Sequence, residues 1–318
     1  MKKLVLSAIT LLAGAIIISS CKKKPEYNPT PTILDYTQIA KLYNDLKPAA
    51  QTFSVTAGVY STIEGTSGTK ITFYPNSFKD ASGNIITSGT VSIKMTEANT
   101  IEAMIRNRAF PVSTDGRLLR SGGEVKIVAT MGGQTVYANK YNAQFKQGAS
   151  STMPMGLFYG VTGSDSGTTW SPVDSTTGTG TGGTSIDTSG LTSFYYVFDS
   201  VGSFNWINCD HFYGSSAPLT TMNIEFADTS FNWSNTAVYI VFPSEHSVME
   251  GYQGSASNIY NALNIPVGIS VKVFTMTYKA GNYYYSLQTG ITVTSGLVVH
   301  PVSTASSLSG IMSVMVTL

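Results

Sequence analysis

Cys209 and His211 are the pair of side chains whose types and spacing best suit chemistry in this sequence. Residues two apart on a strand share a face, so a thiol and an imidazole there could bind zinc with His246 or His300, or act as nucleophile and base. Strong zinc sites show paired spacings such as C-x-x-C, and the chain has only three histidines. We therefore interpret Cys209 as a small buried core residue. A metal site and a reactive thiol stay open as alternatives.

The sequence lacks the local motifs that mark common hydrolases and nucleotide-binding enzymes. H-E-x-x-H, G-x-S-x-G and the G-x-x-x-x-G-K-[ST] phosphate loop do not occur, and Glu245-His246 lacks the spacing of a metalloprotease helix. The acidic residues are scattered, so no carboxylate pair of the glycosidase type is recognisable by spacing. We expect no catalytic residues, cofactor or metal. The alternative enzyme is a hydrolase of envelope polymers that uses His211 as its base.

Aromatic side chains are the second feature able to contact a ligand. The chain has 18 tyrosines, and Tyr283, Tyr284 and Tyr285 follow one another. Neighbouring strand residues point to opposite faces, so at least one of the three is expected on an exposed face. Its ring could stack there on a sugar or a peptide. Packing against the core and across strands is the other role open to these residues.

The first 21 residues have the parts of a secretory signal. Two lysines precede an apolar run over residues 4–18, and two serines and Cys21 follow. The run has 15 residues, whereas a membrane-spanning helix needs about 20. The residues up to Cys21 resemble the bacterial lipobox, which implies cleavage between Ser20 and Cys21 and lipidation of the Cys21 thiol. An ordinary cleaved signal with an incidental cysteine is the alternative.

The lipobox resemblance predicts where the protein is located. Residues 1–20 would be the lipoprotein signal peptide, and the proline-containing residues 21–33 would form a lipidated tether. Two or three acyl chains hold a protein on a membrane almost irreversibly. In the Gram-negative sorting pattern that this start resembles, an Asp after the Cys causes inner-membrane retention. Lys22 occupies that position in this chain, so we expect the protein at the outer membrane, on either its periplasmic or its surface face.

The composition excludes several broad classes of protein. The 318 residues include 19 Lys+Arg and 18 Asp+Glu, a net charge of +1, so no basic excess favours a nucleic-acid partner. Only 12% of the residues are charged, which excludes a coiled coil and a charge-driven disordered chain. The many Tyr, Thr, Val and Gly residues favour an all-β fold.

One amphipathic helix is predicted within residues 34–50. Asp35 can cap its start, and apolar residues recur at three- and four-residue spacing until Pro48 ends the pattern. We expect the apolar face of this helix to pack against the domain that follows it. Binding to a partner protein is the alternative.

Apolar alternation and turn residues predict two β-sandwich domains, over residues 51–173 and 191–318. Between them, residues 174–190 are Gly, Ser or Thr at 14 of 17 positions, which predicts a flexible linker. Within the first domain we expect one short helix over Ile101–Arg106. The last strand is predicted over Ile311–Leu318.

Several segments of the first predicted domain occur in a familiar order. They are Gly68–Phe78, Asp80–Asn84, Thr90–Ile93, Ser113–Leu119 with Ser121–Gly123, and Gly156–Gly160. Together they resemble a module of uncharacterised envelope lipoproteins of the Bacteroidetes, over about residues 51–173. Phe204–Tyr213 resembles another recurring element of that group. Ile265–Gly268 and the residues around it resemble small transthyretin-like or carboxypeptidase-regulatory-like sandwiches.

The resemblance implies β-sandwiches on the cell envelope and brings no catalytic residues with it. Asp174-Ser175-Thr176 also resembles the O-glycosylation signal of that bacterial group, which makes Ser175 a candidate modification site. We therefore expect a lipid-anchored protein with a recognition, adhesion or scaffolding role and an unidentified protein or glycan ligand. A hydrolase, or an accessory subunit of an outer-membrane complex, is the alternative.

Overall fold

The computed structural model describes residues 35–147, 153–164, 167–173, 185–190 and 193–318. The predicted signal peptide and tether, with Ser20 and Cys21, lie outside these residues, as do Ser175 and residues 174–184 of the predicted linker. In the described part of the chain, no helix has both the length and the apolar character needed to cross a membrane.

Strands dominate the described residues, so the prediction of an all-β fold is confirmed. The helices in this part of the chain are α1 (Thr37–Leu46), α2 (Ile101–Asn107), α3 (Leu308–Met315) and the short 3₁₀ helix η1 (Pro243–Glu245). The strands up to residue 212 are β1 (Gln51–Thr56), β2 (Ser61–Glu64), β3 (Lys70–Phe73), β4 (Phe78–Lys79), β5 (Thr90–Glu97), β6 (Ala109–Ser113), β7 (Leu119–Met131), β8 (Gln134–Ala138), β9 (Tyr141–Gln147), β10 (Gly156–Thr162), β11 (Thr168–Pro172), β12 (Ser185–Gly190), β13 (Ser193–Val201) and β14 (Asn205–Phe212). The later strands are β15 (Leu219–Glu225), β16 (Thr236–Phe242), β17 (Ser247–Glu250), β18 (Tyr252–Gln253), β19 (Ile259–Pro266), β20 (Ser270–Lys279), β21 (Asn282–Thr292), β22 (Val298–Val299) and β23 (Thr304–Ser306).

Two sheets form the first sandwich. One has the order β1-β5-β7-β14-β10-β11-β6, with β8 paired to β7 and to β4, and the other has the order β12-β13-β9-β3-β2. Both sheets contribute to one core, in which Phe73, Phe145, Ile127 and Ile207 are fully buried. Burial of these apolar side chains supplies the main driving force for the packing of the two sheets.

The first sandwich extends past the predicted domain boundary, which corrects the division at residue 191. β13 pairs with β9, and β14 lies between β7 and β10, so both strands belong to the first sandwich. β12, at the end of the predicted linker, is a strand paired with β13. Alternation shows that a segment is a strand, but it does not show which distant strand becomes its hydrogen-bonded neighbour.

The second sandwich contains the sheets β18-β19-β15-β22 and β17-β16-β20-β21-β23. Every residue of β16 is buried. Because successive side chains of a strand point to opposite faces, both faces of β16 are covered by protein. Thr236 and Ala237 of this fully covered strand line the candidate site, and α1 packs beside its neighbour β20.

Helix α1 packs on the second half of the chain, so the prediction that it packs on the domain following it is wrong. Leu42 and Leu46 are fully buried in the core cluster that contains β16 and β20. The Ile39 amide donates a hydrogen bond to the Ser234 carbonyl at 3.0 Å. Helical spacing therefore identified the apolar face correctly, while its partner comes from residues about 200 positions later.

Two other local predictions had opposite outcomes. The short helix α2 forms as expected, and the Thr100 hydroxyl accepts a hydrogen bond from the Ala103 amide at its start. The predicted final strand is wrong, because α3 forms there instead. Ser307 caps α3 by accepting a hydrogen bond from the Gly310 amide at 3.1 Å, and Met315 is buried on its apolar face. Short apolar runs fit a strand and a buried helix equally well by periodicity.

Candidate functional site

Cys209 lies on β14 with its side chain in the core of the first sandwich. It is fully buried, and burial, followed by the nearby Asp210 carboxylate, raises the pKa of the Cys209 thiol well above its ordinary value. A thiol that keeps its proton is a weak nucleophile and a weak metal ligand. This geometry supports a packing role for Cys209.

The three histidines lie on separate elements and do not gather around Cys209. His211 is near the end of β14, opposite Arg120 of β7. His246 follows η1, and its Nε2 lies 3.1 Å from the Asn99 carbonyl oxygen. His300 Nδ1 lies 3.2 Å from the Glu225 carbonyl oxygen. Over the described ranges, no three His, Cys, Asp or Glu side chains are grouped as metal ligands.

The three consecutive tyrosines of β21 divide between the two faces of their sheet. The Tyr283 hydroxyl donates to Asp45 Oδ2 of α1 at 2.5 Å, and Tyr285 also packs on the core that α1 covers. The Tyr284 ring meets Phe231 edge-on, with 5.5 Å between the centroids. All three side chains are partly buried. They therefore make contacts within the protein and do not form one continuous aromatic platform.

A cavity of about 860 Å³ lies between α1, the end of α2 and strands β16 to β19. We call it the helix cleft. Its lining includes Tyr36, Tyr43, Arg108, Trp233, Glu250 and Tyr252. Tyr36 and Tyr252 are 45% and 48% exposed, so they mark its open side. The cleft combines aromatic rings with a few charged groups, which is the composition of many small-molecule binding sites.

A buried ion pair forms the charged centre of the helix cleft. An Arg108 guanidinium nitrogen lies 2.7 Å from Glu250 Oε2, and the two side chains are only 11% and 14% exposed. Tyr43 donates its hydroxyl to the other Glu250 oxygen at 2.7 Å, and the guanidinium carbon lies 4.2 Å from the centre of the Tyr43 ring. These contacts join α1, the end of α2 and β17 at one point.

The electrostatics of the ion pair follow from its burial. Burial opposes the charge of Arg108, but the Glu250 carboxylate and the nearby Tyr43 and Tyr239 hydroxyls together outweigh that effect, so the pKa of Arg108 is raised and the guanidinium stays charged. Burial and then the Glu250 carboxylate raise the pKa of Tyr43 well above its ordinary value, so its hydroxyl stays a hydrogen-bond donor. At neutral pH the guanidinium of Arg108 is therefore charged and the phenol of Tyr43 keeps its proton.

Arg108 reaches this position through an unusual backbone conformation. It ends α2 with φ of 51°, in the left-handed region that a residue with a side chain rarely adopts. Its amide donates to the Ile105 carbonyl at 3.1 Å, which completes the last turn of the helix. A glycine would fit this backbone with less strain, so the arginine side chain is retained here at an energetic cost.

The aromatic side of the helix cleft is held rigid by hydrogen bonds to the backbone. Trp233 donates its indole N–H to the Ile259 carbonyl at 2.8 Å, and Tyr260 donates its hydroxyl to the Thr236 carbonyl at 2.8 Å. Fixed aromatic rings lose little conformational entropy when a ligand binds. The cleft therefore has preorganised walls suited to recognition.

Sequence reasoning did not identify the helix cleft. Its residues come from α1, the end of α2 and the second sandwich, and no local motif connects them. Tyr43 and Glu250, which share a hydrogen bond, are 207 positions apart. The one local signal was the aromatic content of the second half, where Trp233 is one of three tryptophans in the chain.

Comparison with known proteins adds no assignment to this geometry. No protein-family model matches the chain, and no curated protein matches it at a significant level. A fold class by itself does not determine function, so the geometry of the site has to indicate it.

Proposed function

We propose that this chain is a lipid-anchored protein of the cell envelope that binds a saccharide in the helix cleft, without catalysis. The observation that carries the proposal is the aromatic cavity of about 860 Å³ built around the Arg108–Glu250 pair. Its size lies within the range of about 300–1,000 Å³ that is typical of small-molecule sites.

The chemistry of the cleft fits a sugar better than an extended apolar ligand. Aromatic faces such as those of Tyr36, Trp233 and Tyr252 can stack on the C–H faces of a sugar ring. The side-chain amides of Asn44, Asn107 and Gln253 line the same space and can bond to hydroxyl groups. A peptide or protein ligand is the alternative to a glycan.

The location rests on the sequence of the first 21 residues. The basic start, the short apolar run and Cys21 support a lipid anchor, and Lys22 supports the outer membrane. An anchored binding protein keeps its ligand at the envelope surface. A hydrolase that used Cys209 as its nucleophile would need an accessible thiol, and the Cys209 thiol is fully buried.

A glycan array probed with the full chain in detergent tests the binding proposal. The best glycan is then titrated against Trp233→Ala and Tyr252→Ala, and we expect the Kd to rise about tenfold or more for each. Tyr60→Ala is the matched control, because Tyr60 is 64% exposed and lies on the first sandwich, outside the cleft. Unchanged binding by both cleft variants, or no glycan bound at all, would reject the proposal.

Membrane fractionation tests the anchor separately. We expect the native chain in the outer-membrane fraction and the Cys21→Ser variant released from it or retained as an uncut precursor. Mass spectrometry of the native protein should show acylation of Cys21. A native chain with a free thiol at Cys21 would contradict the anchor and leave the binding proposal untouched.

A further inference from the structure

Two fully buried acidic residues lie close together on the first sandwich, away from the helix cleft. Glu124 is on β7 and Asp210 is on β14, and neither side chain is exposed. Asn208, also fully buried, lies directly opposite Glu124 in the strand register. Ile207 and Cys209 point into the sandwich core. Because strand side chains alternate, Asn208 and Asp210 share the opposite face of this sheet.

Four oxygen atoms of these three residues have no hydrogen-bond partner. They are both carboxylate oxygens of Glu124, Oδ1 of Asn208 and Oδ1 of Asp210. The Asn208 amide nitrogen donates to the other Asp210 oxygen at 2.6 Å, which fixes the amide beside the two acids. Buried polar atoms without a partner are rare in folded proteins, and four from three neighbouring residues call for a bound group.

Among the described residues, neither Glu124 nor Asp210 forms an ion pair with a basic side chain. The ion pairs in this part of the chain involve other carboxylates. Glu245 shows the contrast, because this buried acid has Arg120 at 2.7 Å. No hydrogen bond joins Glu124 to Asp210, yet burial and then the Asp210 charge raise the pKa of Glu124 well above its ordinary value. The two buried carboxyls therefore have no cationic partner among these ion pairs and do not hydrogen-bond to each other.

We propose that Glu124, Asn208 and Asp210 bind one divalent hard cation of the calcium class. Such cations prefer carboxylate and amide oxygens, which are the atoms left without partners here. The two carboxylates neutralise the two positive charges of the cation. The amide oxygen of Asn208 is the third protein ligand and adds no further negative charge. The site is independent of saccharide binding in the helix cleft.

A second cavity gives the cation a route and room for water. It has a volume of about 260 Å³ and is lined by Asp210 together with Gly156, Phe158 and Phe212. Calcium takes six to eight oxygen ligands and magnesium takes six, so water from this cavity would complete the coordination shell. The Glu124 backbone also bonds with the loop before α2, through Ala98 and Asn99. Binding would therefore stabilise the contact between β7 and that loop.

Calorimetric titration of the metal-free full chain with CaCl2 and MgCl2 tests the proposal. We expect one cation per chain, and a rise in Tm of about 5–10 °C at a concentration one hundred times Kd. Terbium luminescence gives a second readout, because buried Trp206 lies on the same face as Asn208 and can sensitise a lanthanide bound there. A chain that binds none of the three cations at concentrations up to about 10 mM, which is roughly ten times the Kd of the weakest extracellular calcium sites, would overturn the proposal.

Isosteric variants locate the site. Glu124→Gln and Asp210→Asn keep the side-chain shape, and we expect each to weaken cation binding at least about tenfold, as loss of a charged ligand does. Glu245→Gln is the matched control, since it removes a buried acid that already has a cationic partner, and it should keep the calcium response. Two results would contradict the proposal. In the first, both site variants bind calcium as tightly as the native chain. In the second, the variants have a higher Tm and neither they nor the native chain respond to cations, which would show that the two residues are neutral buried acids.

Discussion

The Glu250→Gln variant tests whether the ion pair in the helix cleft is shielded from water. The Arg108 and Glu250 side chains are 11% and 14% exposed, with 2.7 Å between nitrogen and oxygen. Glutamine keeps the size of glutamate but removes its charge, so the buried guanidinium loses the Glu250 carboxylate that faces it. Removing one partner of a buried pair costs about 3–5 kcal/mol, whereas an exposed pair contributes about 0–1 kcal/mol.

Thermal unfolding of the full chain measures this difference. A loss of about 3–5 kcal/mol lowers Tm by about 6–20 °C, at about 2–4 °C per kcal/mol for a domain of roughly this size. Asp115→Asn is the matched control, because Asp115 and Arg117 form an ion pair in which both side chains are 57% exposed. Its Tm should fall by about 4 °C or less.

A double variant separates the burial of charge from the loss of contacts. Arg108→Met with Glu250→Leu removes both charges and fills similar volume, so most of the lost stability should return. Two results would refute the reasoning. One is a Glu250→Gln variant that is no less stable than Asp115→Asn, and the other is a double variant no more stable than Glu250→Gln.

Three further predictions follow from burial and hydrogen bonding. Cys209 should resist iodoacetamide in the folded chain and react once urea unfolds it, because it is fully buried with a raised pKa; rapid labelling of the native chain would contradict this. Burial and the bond to Asp45 raise the pKa of Tyr283 to about 12, so the folded state keeps this proton between pH 10 and about 12 while the unfolded state loses it. The contribution of Tyr283 to stability is therefore complete below pH 10 and decreases above it. Tyr283→Phe should lose less Tm than the native chain as the pH rises above 10. Equal losses of Tm in the two chains would contradict a raised pKa for Tyr283. Leu42→Ala should cost about 2–5 kcal/mol in urea unfolding, because Leu42 is fully buried between α1 and the second sandwich, and a cost below about 1 kcal/mol would show that α1 is not docked there.

Local patterns predicted which segments form helices and strands better than they predicted which strands pair with each other. Alternation identified the strands, and the short helix expected over Ile101–Arg106 forms as α2. The same methods misassigned α3, because its short apolar run fits either element and only the Ser307 cap and the buried Ile311 distinguish them. The boundary at residue 191 failed because β13 and β14 pair with strands far earlier in the chain.

The candidate sites were beyond sequence reasoning for a related reason. Cys209 has reactive chemistry by type, yet burial keeps its thiol protonated. Arg108 and Glu250 carry no motif, and they become a pair only because α2 and β17 meet. Glu124 and Asp210 are 86 positions apart, and the register of β7 with β14 places them on one face.

The sequence by itself determined the strand-rich class, the helix that follows Asp35 and the expectation of a lipid anchor at Cys21, since each depends on residues that are close together along the chain. The tertiary structure decided which strands share a sheet, which half of the chain α1 covers, and which charges lose contact with water. Those outcomes depend on contacts between residues as many as 242 positions apart. Periodicity along a chain contains no information about which distant segment fills the other side of a buried face.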